Sequence, residues 1–90
     1  MYGKGRKKGT VRVSLQAGGA KSVAVAGSFN GWAPVRMRRQ KSGAFVSNVA
    51  AEPGSYEYKF IVDGDWQVDP DNSAWSLNPH GTLNSVMVVE

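Results

Sequence analysis

Apolar and polar residues alternate with a period of two along most of the chain. Val11, Val13 and Leu15 alternate with Arg12 and Ser14, which predicts a half-buried strand beginning at Thr10. Ala17-Gly18-Gly19-Ala20 interrupts it, and Ser22 to Ala26 follows as a second strand carrying Val23 and Val25. Beyond Pro34, Val35 to Arg39 reads as a short strand with Met37 inward. Lys41-Ser42-Gly43 is the next break, Ala44 to Ala50 the next strand, and Glu52-Pro53-Gly54 a strong turn. The clearest alternation runs from Ser55 to Val62. It sets Tyr56, Tyr58, Phe60 and Val62 on one face and Glu57, Lys59 and Ile61 on the other. Asp63-Gly64 is a favoured two-residue hairpin turn, returning the chain through Trp66 and Val68. A polar loop from Asp69 to Thr82 leads to a last strand, Ser85 to Glu90. No window sustains helical periodicity. Short strands at roughly ten-residue spacing predict an all-β fold, an antiparallel β-sandwich of immunoglobulin-like type.

Ninety residues correspond to one domain. The alternation assigns residues 10–90 to a single sandwich and leaves 1–9 as a flexible basic leader. A hydrophobic share of 41% with 20% charged residues fits a soluble globular protein. The absence of cysteine removes disulfides, thiolate metal sites and thiol nucleophiles together, and it fits a reducing compartment. No stretch approaches the ~20 apolar residues of a membrane span, and the N-terminus lacks the apolar block of a signal peptide. A cytoplasmic protein without a membrane partner is the expectation. The net charge of +4 is unevenly spread: Lys4, Arg6, Lys7, Lys8 and Arg12 lie within the first dozen positions. The basic character therefore belongs to the leader, which reads as a solvated linker more readily than as a nucleic-acid contact. No nucleic-acid partner is expected.

Catalytic chemistry finds little support. Asp63, Asp65, Asp69 and Asp71 form an acidic group that invites comparison with a glycosidase carboxylate pair or a calcium loop. Their spacing does not match the EF-hand pattern, and Asp63-Gly64 and Asp69-Pro70 are ordinary turn positions. His80, the one histidine, lies between Pro79 and Gly81 in a loop. No nucleophile elbow or phosphate-cradling glycine loop is present. Neither an enzyme, a cofactor nor a metal site is predicted.

Binding is the better reading. Trp32 closes Gly27-Ser28-Phe29-Asn30-Gly31-Trp32, and Trp66 follows Asp63-Gly64-Asp65. Both are flanked by turn-forming residues, so each indole is either a platform held out for stacking or a cover over the sheet edge. Lys59 points away from Tyr58 and Phe60, and Asn84 stands where the Gly81-Thr82-Leu83 loop enters the last strand. An indole plane, an ammonium donor and an amide suit a sugar: its apolar C–H face stacks, and its hydroxyls take the hydrogen bonds. An aromatic pair of this kind is equally suited to a protein contact.

Four motifs in order carry a resemblance over about Val11 to Glu90. They are Gly27-Ser28-Phe29-Asn30-Gly31-Trp32, Tyr56-Glu57-Tyr58-Lys59-Phe60-Ile61-Val62-Asp63-Gly64-Asp65-Trp66, Asp69-Pro70 and Gly81-Thr82-Leu83-Asn84-Ser85. Together they resemble the glycogen-binding domain of AMP-activated protein kinase β subunits. They also resemble the early-set domains at the N-termini of isoamylases and branching enzymes, within carbohydrate-binding module family 48. The resemblance implies an early-set immunoglobulin-like sandwich that binds α-1,4-glucans such as glycogen, starch and maltooligosaccharides. It further implies stacking by Trp32 and Trp66, hydroxyl contacts from Lys59 and Asn84, and a sugar contact from Thr82. An attached or associated glucan-active enzyme or kinase complex is the implied partner. The chain departs from the kinase pattern at His80, which replaces a leucine that reaches the sugar. It departs again at Trp75, an added indole in a slightly longer loop and either a third platform or a packing residue. A structural sandwich docked on a neighbouring domain is the competing expectation.

Overall fold

Two antiparallel sheets share the strands in the computed structural model, which describes all 90 residues. In chain order these are β1 (Tyr2–Lys4), β2 (Thr10–Gln16), β3 (Val23–Gly27), β4 (Val35–Arg36), β5 (Arg38–Arg39), β6 (Ala44–Ala50), β7 (Gly54–Val62), β8 (Asp65–Gln67), β9 (Trp75–Leu77) and β10 (Leu83–Val89). One 3₁₀ turn, Ser28–Asn30, follows β3. The smaller sheet has the order β1-β2-β6-β5, and the larger runs β4-β3-β7-β10-β9, with β8 also paired to β7. The architecture is the immunoglobulin-like sandwich that the alternation predicts.

Period-two patterning turns one face of each sheet inward. Val11, Val13 and Leu15 of β2 and Phe45 and Val49 of β6 meet Val23, Val25, Tyr58, Phe60 and Met87 from the other sheet. Tyr58 packs edge-on against the rings of Tyr2 (6.2 Å between centroids) and Phe60 (5.9 Å). Such T-shaped pairs add about 0.5–1.5 kcal/mol each beyond the area they bury.

Three local outcomes differ from the sequence expectation. Tyr2–Lys4 is not a free leader segment but an edge strand, because Tyr2 finds an aromatic site beside Tyr58 and its backbone pairs with Val11 to Val13. The expected strand Val35–Arg39 is two strands in different sheets, since Val35–Arg36 pairs with β3 and Arg38–Arg39 with β6. Met37, the residue between them, is buried, and its N–H donates to Val23 O at 2.8 Å where the chain crosses over. The third is β9, which forms inside the stretch expected as loop because Leu83 to Ser85 offer it a free edge.

Candidate functional site

The inward turn of Tyr58 and Phe60 forces Glu57, Lys59 and Ile61 onto the outer face of the larger sheet. Asp63 and Gly64 both have positive φ (48° and 90°), the requirement of a type I′ hairpin, and the turn brings Trp66 opposite Ile61. Directly paired residues share a face, so Trp66 stands on the outer side with Lys59, and it is 52% exposed. The turn is held by more than its own geometry. Asp63 Oδ1 accepts the N–H groups of Lys21 (2.9 Å) and Ser22 (2.8 Å), which ties the hairpin to the start of β3.

Trp32 is positioned from the opposite side of β7. Its N–H donates to Gly27 O at 2.8 Å, and Gly27 pairs with Tyr58, one residue before Lys59. Trp32 has φ 67°, a left-handed conformation that costs a bulky residue about 1–3 kcal/mol, and its side chain is half-buried. Gly27 permits the close approach. A Cβ there would lie 2.3 Å from the Phe29 ring and 2.8 Å from Glu57 O. With a rise of about 3.3 Å per residue and about 4.8 Å between strands, Gly27 and Trp66 are roughly 14 Å apart diagonally across β7.

Lys59 lies between these anchors and joins a polar network. Its Nζ donates to Thr82 Oγ1 at 3.2 Å, and Asn78 Nδ2 donates to the same hydroxyl at 2.6 Å. Asn78 Nδ2 also reaches Asn84 Oδ1 (3.3 Å), and Asn84 Nδ2 donates to Glu57 Oε1 at 3.1 Å. Asn78 Oδ1 accepts the N–H groups of His80 and Thr82, both at 3.0 Å, so this one side chain shapes the whole 78–84 loop. The result is a row of amide, hydroxyl, ammonium and carboxylate groups beside the exposed Trp66 indole.

Directly beneath, on the inner side, lies a second polar group. Tyr58 Oη donates to Asp69 Oδ2 at 2.6 Å and accepts from Asn72 Nδ2 at 3.0 Å. Ser85 Oγ accepts the Asp69 N–H at 2.7 Å, Asp69 Oδ1 accepts the Asp71 N–H, and the Met1 amino group sits against the Asp69 carboxylate. Asp69 is 1% exposed. Burial, reinforced by the neighbouring Asp69 charge, pushes the Tyr58 phenol far above its ordinary range. No buried side-chain nitrogen or oxygen lacks a partner. Asp63 and Asp69, two members of the acidic group, are thus occupied in holding turns.

Of the residues named from sequence, the structure brings Lys59, Trp66, Thr82 and Asn84 together on one face, and the Trp32 backbone is tied to Gly27 across β7 from them. His80 is exposed at the tip of the loop. Trp75 lies elsewhere: it pairs with Ser85, whose side chain faces Asp69, so Trp75 projects to the other side of the sheet. There it shares a side with Leu77 and Leu83, at 55%, 69% and 40% exposure. Sequence reasoning passed over Asn78 and Glu57. Asn78 precedes Pro79, an Asn-Pro turn signal that marks it as a loop organiser. Glu57 shares the outward alternation of Lys59.

An exposed indole, an ammonium group and amides thus share one face of an immunoglobulin-like sandwich. Residues 11–90 match the family described as the glycogen recognition site of AMP-activated protein kinase, and the chain belongs to that family. It is 48% identical over 52 residues to Protein PTST homolog 2, chloroplastic, of Arabidopsis thaliana, covering 57% of this chain and 10% of that protein. It is 47% identical over 62 residues to Protein FLOURY ENDOSPERM 6, chloroplastic, of Oryza sativa subsp. japonica (68% of this chain, 12% of that one). Against the human 5'-AMP-activated protein kinase subunit beta-1 it is 36% identical over 73 residues, covering 81% of this chain and 26% of the subunit. The crystal structure of the maltogenic amylase from S. marinus matches the whole chain with a TM-score of 0.73 at 25% identity, over 15% of the amylase chain. The chain thus spans a tenth to a quarter of these three relatives.

Proposed function

We propose that this domain binds α-1,4-linked glucans such as glycogen, starch or maltooligosaccharides, and so targets an attached or associated protein to polysaccharide. The observation that carries the reading is the placement of an exposed Trp66 on the same outer face as the Lys59–Thr82–Asn84 network. The indole planes of Trp66 and Trp32 take the apolar faces of glucose rings, and the network takes hydroxyls at their rims. Glu57 and Asn78 hold Asn84 and Thr82 in orientation, and His80 reaches the chain from the loop tip. The domain performs no reaction of its own and needs no cofactor. Each neutral hydrogen bond contributes about 0.5–1.5 kcal/mol net, so useful affinity comes from several sugars engaged at once. A reducing compartment is consistent with the cysteine-free sequence, and the chloroplastic relatives add the plastid to the cytoplasm as a location. Native electrophoresis through gels containing glycogen tests the proposal. The parent should be retarded, and Trp66→Ala or Trp32→Ala should weaken binding tenfold or more, about 1.4 kcal/mol or above. Unretarded migration of the parent would sink the glucan reading.

A second reading, a sandwich that docks on a neighbouring domain, is favoured by the exposed Trp75, Leu77 and Leu83. This surface lies on the other side of the sheet from Trp66 and leaves the outer face open. The attached enzyme or kinase complex is the neighbour that it would meet.

A further inference from the structure

The body of the domain is not evenly charged. Lys21, Arg36, Arg38 and Arg39 line a cleft of about 490 Å³ where the chain crosses from β4 to β5, with Met37 and Phe45 as its apolar part. The one ion pair in the structure joins Met1 and Asp69, so none of these four cations has a carboxylate partner. Asp63 meets this segment through backbone bonds, its Oδ1 accepting the Lys21 and Ser22 N–H groups. Arg39 donates to Gly18 O at 2.8 Å.

Register connects this cleft to the proposed glucan face. Arg36 pairs with Ala24, Ala24 with Ile61, and Ile61 with Trp66. These four residues form one row on the outer side of the sheet, three strand spacings or about 14 Å from end to end. Ala24 between them is small and leaves the surface low. A glucan segment that leaves Trp66 along this row, instead of along the diagonal toward Trp32, therefore ends at Arg36 and the mouth of the cleft.

We propose that the cleft recognises a phosphate monoester on the glucan, making phosphate-substituted α-glucan the ligand class this face prefers. The proposal rests on the glucan reading. Arginine presents a planar fork of donors that matches phosphate oxygens, and charge-assisted bonds of this kind are stronger than those to neutral hydroxyls. An extended nucleic-acid backbone is disfavoured, because the leader cations Lys4, Lys7 and Lys8 line a separate cavity with Glu52 and Glu90 instead of continuing the arginine cluster.

The test compares affinity for phosphate-bearing amylopectin with affinity for the same polymer after phosphatase treatment, using the parent and the Arg36→Gln/Arg38→Gln double variant. Arg39 is left in place because of its bond to Gly18. The parent should bind the phosphorylated polymer about fivefold tighter at low salt, with the preference fading as ionic strength rises. The variant should bind both polymers alike, at the parent's affinity for the dephosphorylated one. Equal binding of both polymers by the parent overturns the proposal while leaving the glucan reading intact. So does a preference that survives in the variant. Capture of duplex DNA or a polyglutamate peptide that the variant loses, without phosphate discrimination among glucans, reassigns the cleft and also overturns it. A parent that binds neither polymer removes the glucan reading and this proposal together.

Discussion

Tyr58 and Lys59 are adjacent, as are Asn84 and Ser85, yet each pair contributes to two polar groups with opposite character. Tyr58 and Ser85 point inward to Asp69 and Asn72, where water is excluded and every donor is matched. Lys59 and Asn84 point outward to Thr82, Asn78 and Glu57, beside an indole that is half exposed. Inside, an unmatched group costs its full desolvation, so the inner group holds the loop 69–72 and the N-terminal strand to the sandwich. Outside, Asn84 is itself only 5% exposed and stays tied to Asn78 and Glu57, but the Lys59–Thr82 bond is exposed, so water or a ligand hydroxyl can replace it there. The same chemical types thus stabilise on one face and, in the proposed function, bind on the other, one residue apart.

The separation is open to experiment. Asp69→Ala strips the partner from the Tyr58 hydroxyl, the Asp71 N–H and the Met1 amino group. It should lower unfolding stability by about 3 kcal/mol in denaturant titration while the folded fraction keeps its glucan affinity. A matching loss of affinity would mean that the faces are coupled. Asn78→Ala removes the organiser of the outer loop and should weaken glucan binding about tenfold, or about 1.4 kcal/mol, with a smaller change in stability. Its effect should exceed that of Thr82→Val, because Asn78 orders Thr82, His80 and Asn84 together.

Tyr58 provides a pH test of the inner group. Its folded-state pKa is raised, so above the ordinary tyrosine value of about 10 the unfolded chain has released this proton and the folded one retains it. The unfolded state then binds fewer protons. Stability is therefore complete below about pH 10 and falls as pH rises beyond it. Tyr58→Phe should cost about 1 kcal/mol at neutral pH and make the alkaline decline shallower, as measured by denaturation between pH 8 and 11. An unchanged alkaline slope would show that other groups carry it. The smallest effect is expected at Trp75, which lies off the outer face. Trp75→Ala should change glucan affinity less than about twofold, within about 0.4 kcal/mol, and a larger loss would place the indole within reach of the sugar.

Much of this arrangement could be read from the chain before its fold was known. The alternation in Ser55–Val62 assigned Tyr58 inward and Lys59 outward, and Asp63-Gly64 announced the hairpin that returns Trp66 to the same strand. Those are local properties: period-two geometry and the φ > 0 demand of a type I′ turn act over a few residues. Met37 was read as inward, but the crossing between sheets at that residue was not, since it depends on which strands offer free edges. Trp75 looked like a possible platform because composition shows an aromatic in a polar loop without showing which side of β9 it takes. The basic character reads as a property of the leader, and only the fold gathers Lys21, Arg36, Arg38 and Arg39 into one cleft.

Local sequence therefore determined the strand pattern, the hairpin, the family motifs and the outward set of Lys59 and Asn84, because side-chain direction in a strand follows from position alone. Pairing in space determined the rest: the row from Arg36 to Trp66, the burial of Asp69 under Tyr58 and Ser85, the role of Asn78 and the displacement of Trp75. These depend on strand register between segments tens of residues apart, and register is set by the packing of the whole core, not by any single stretch of chain.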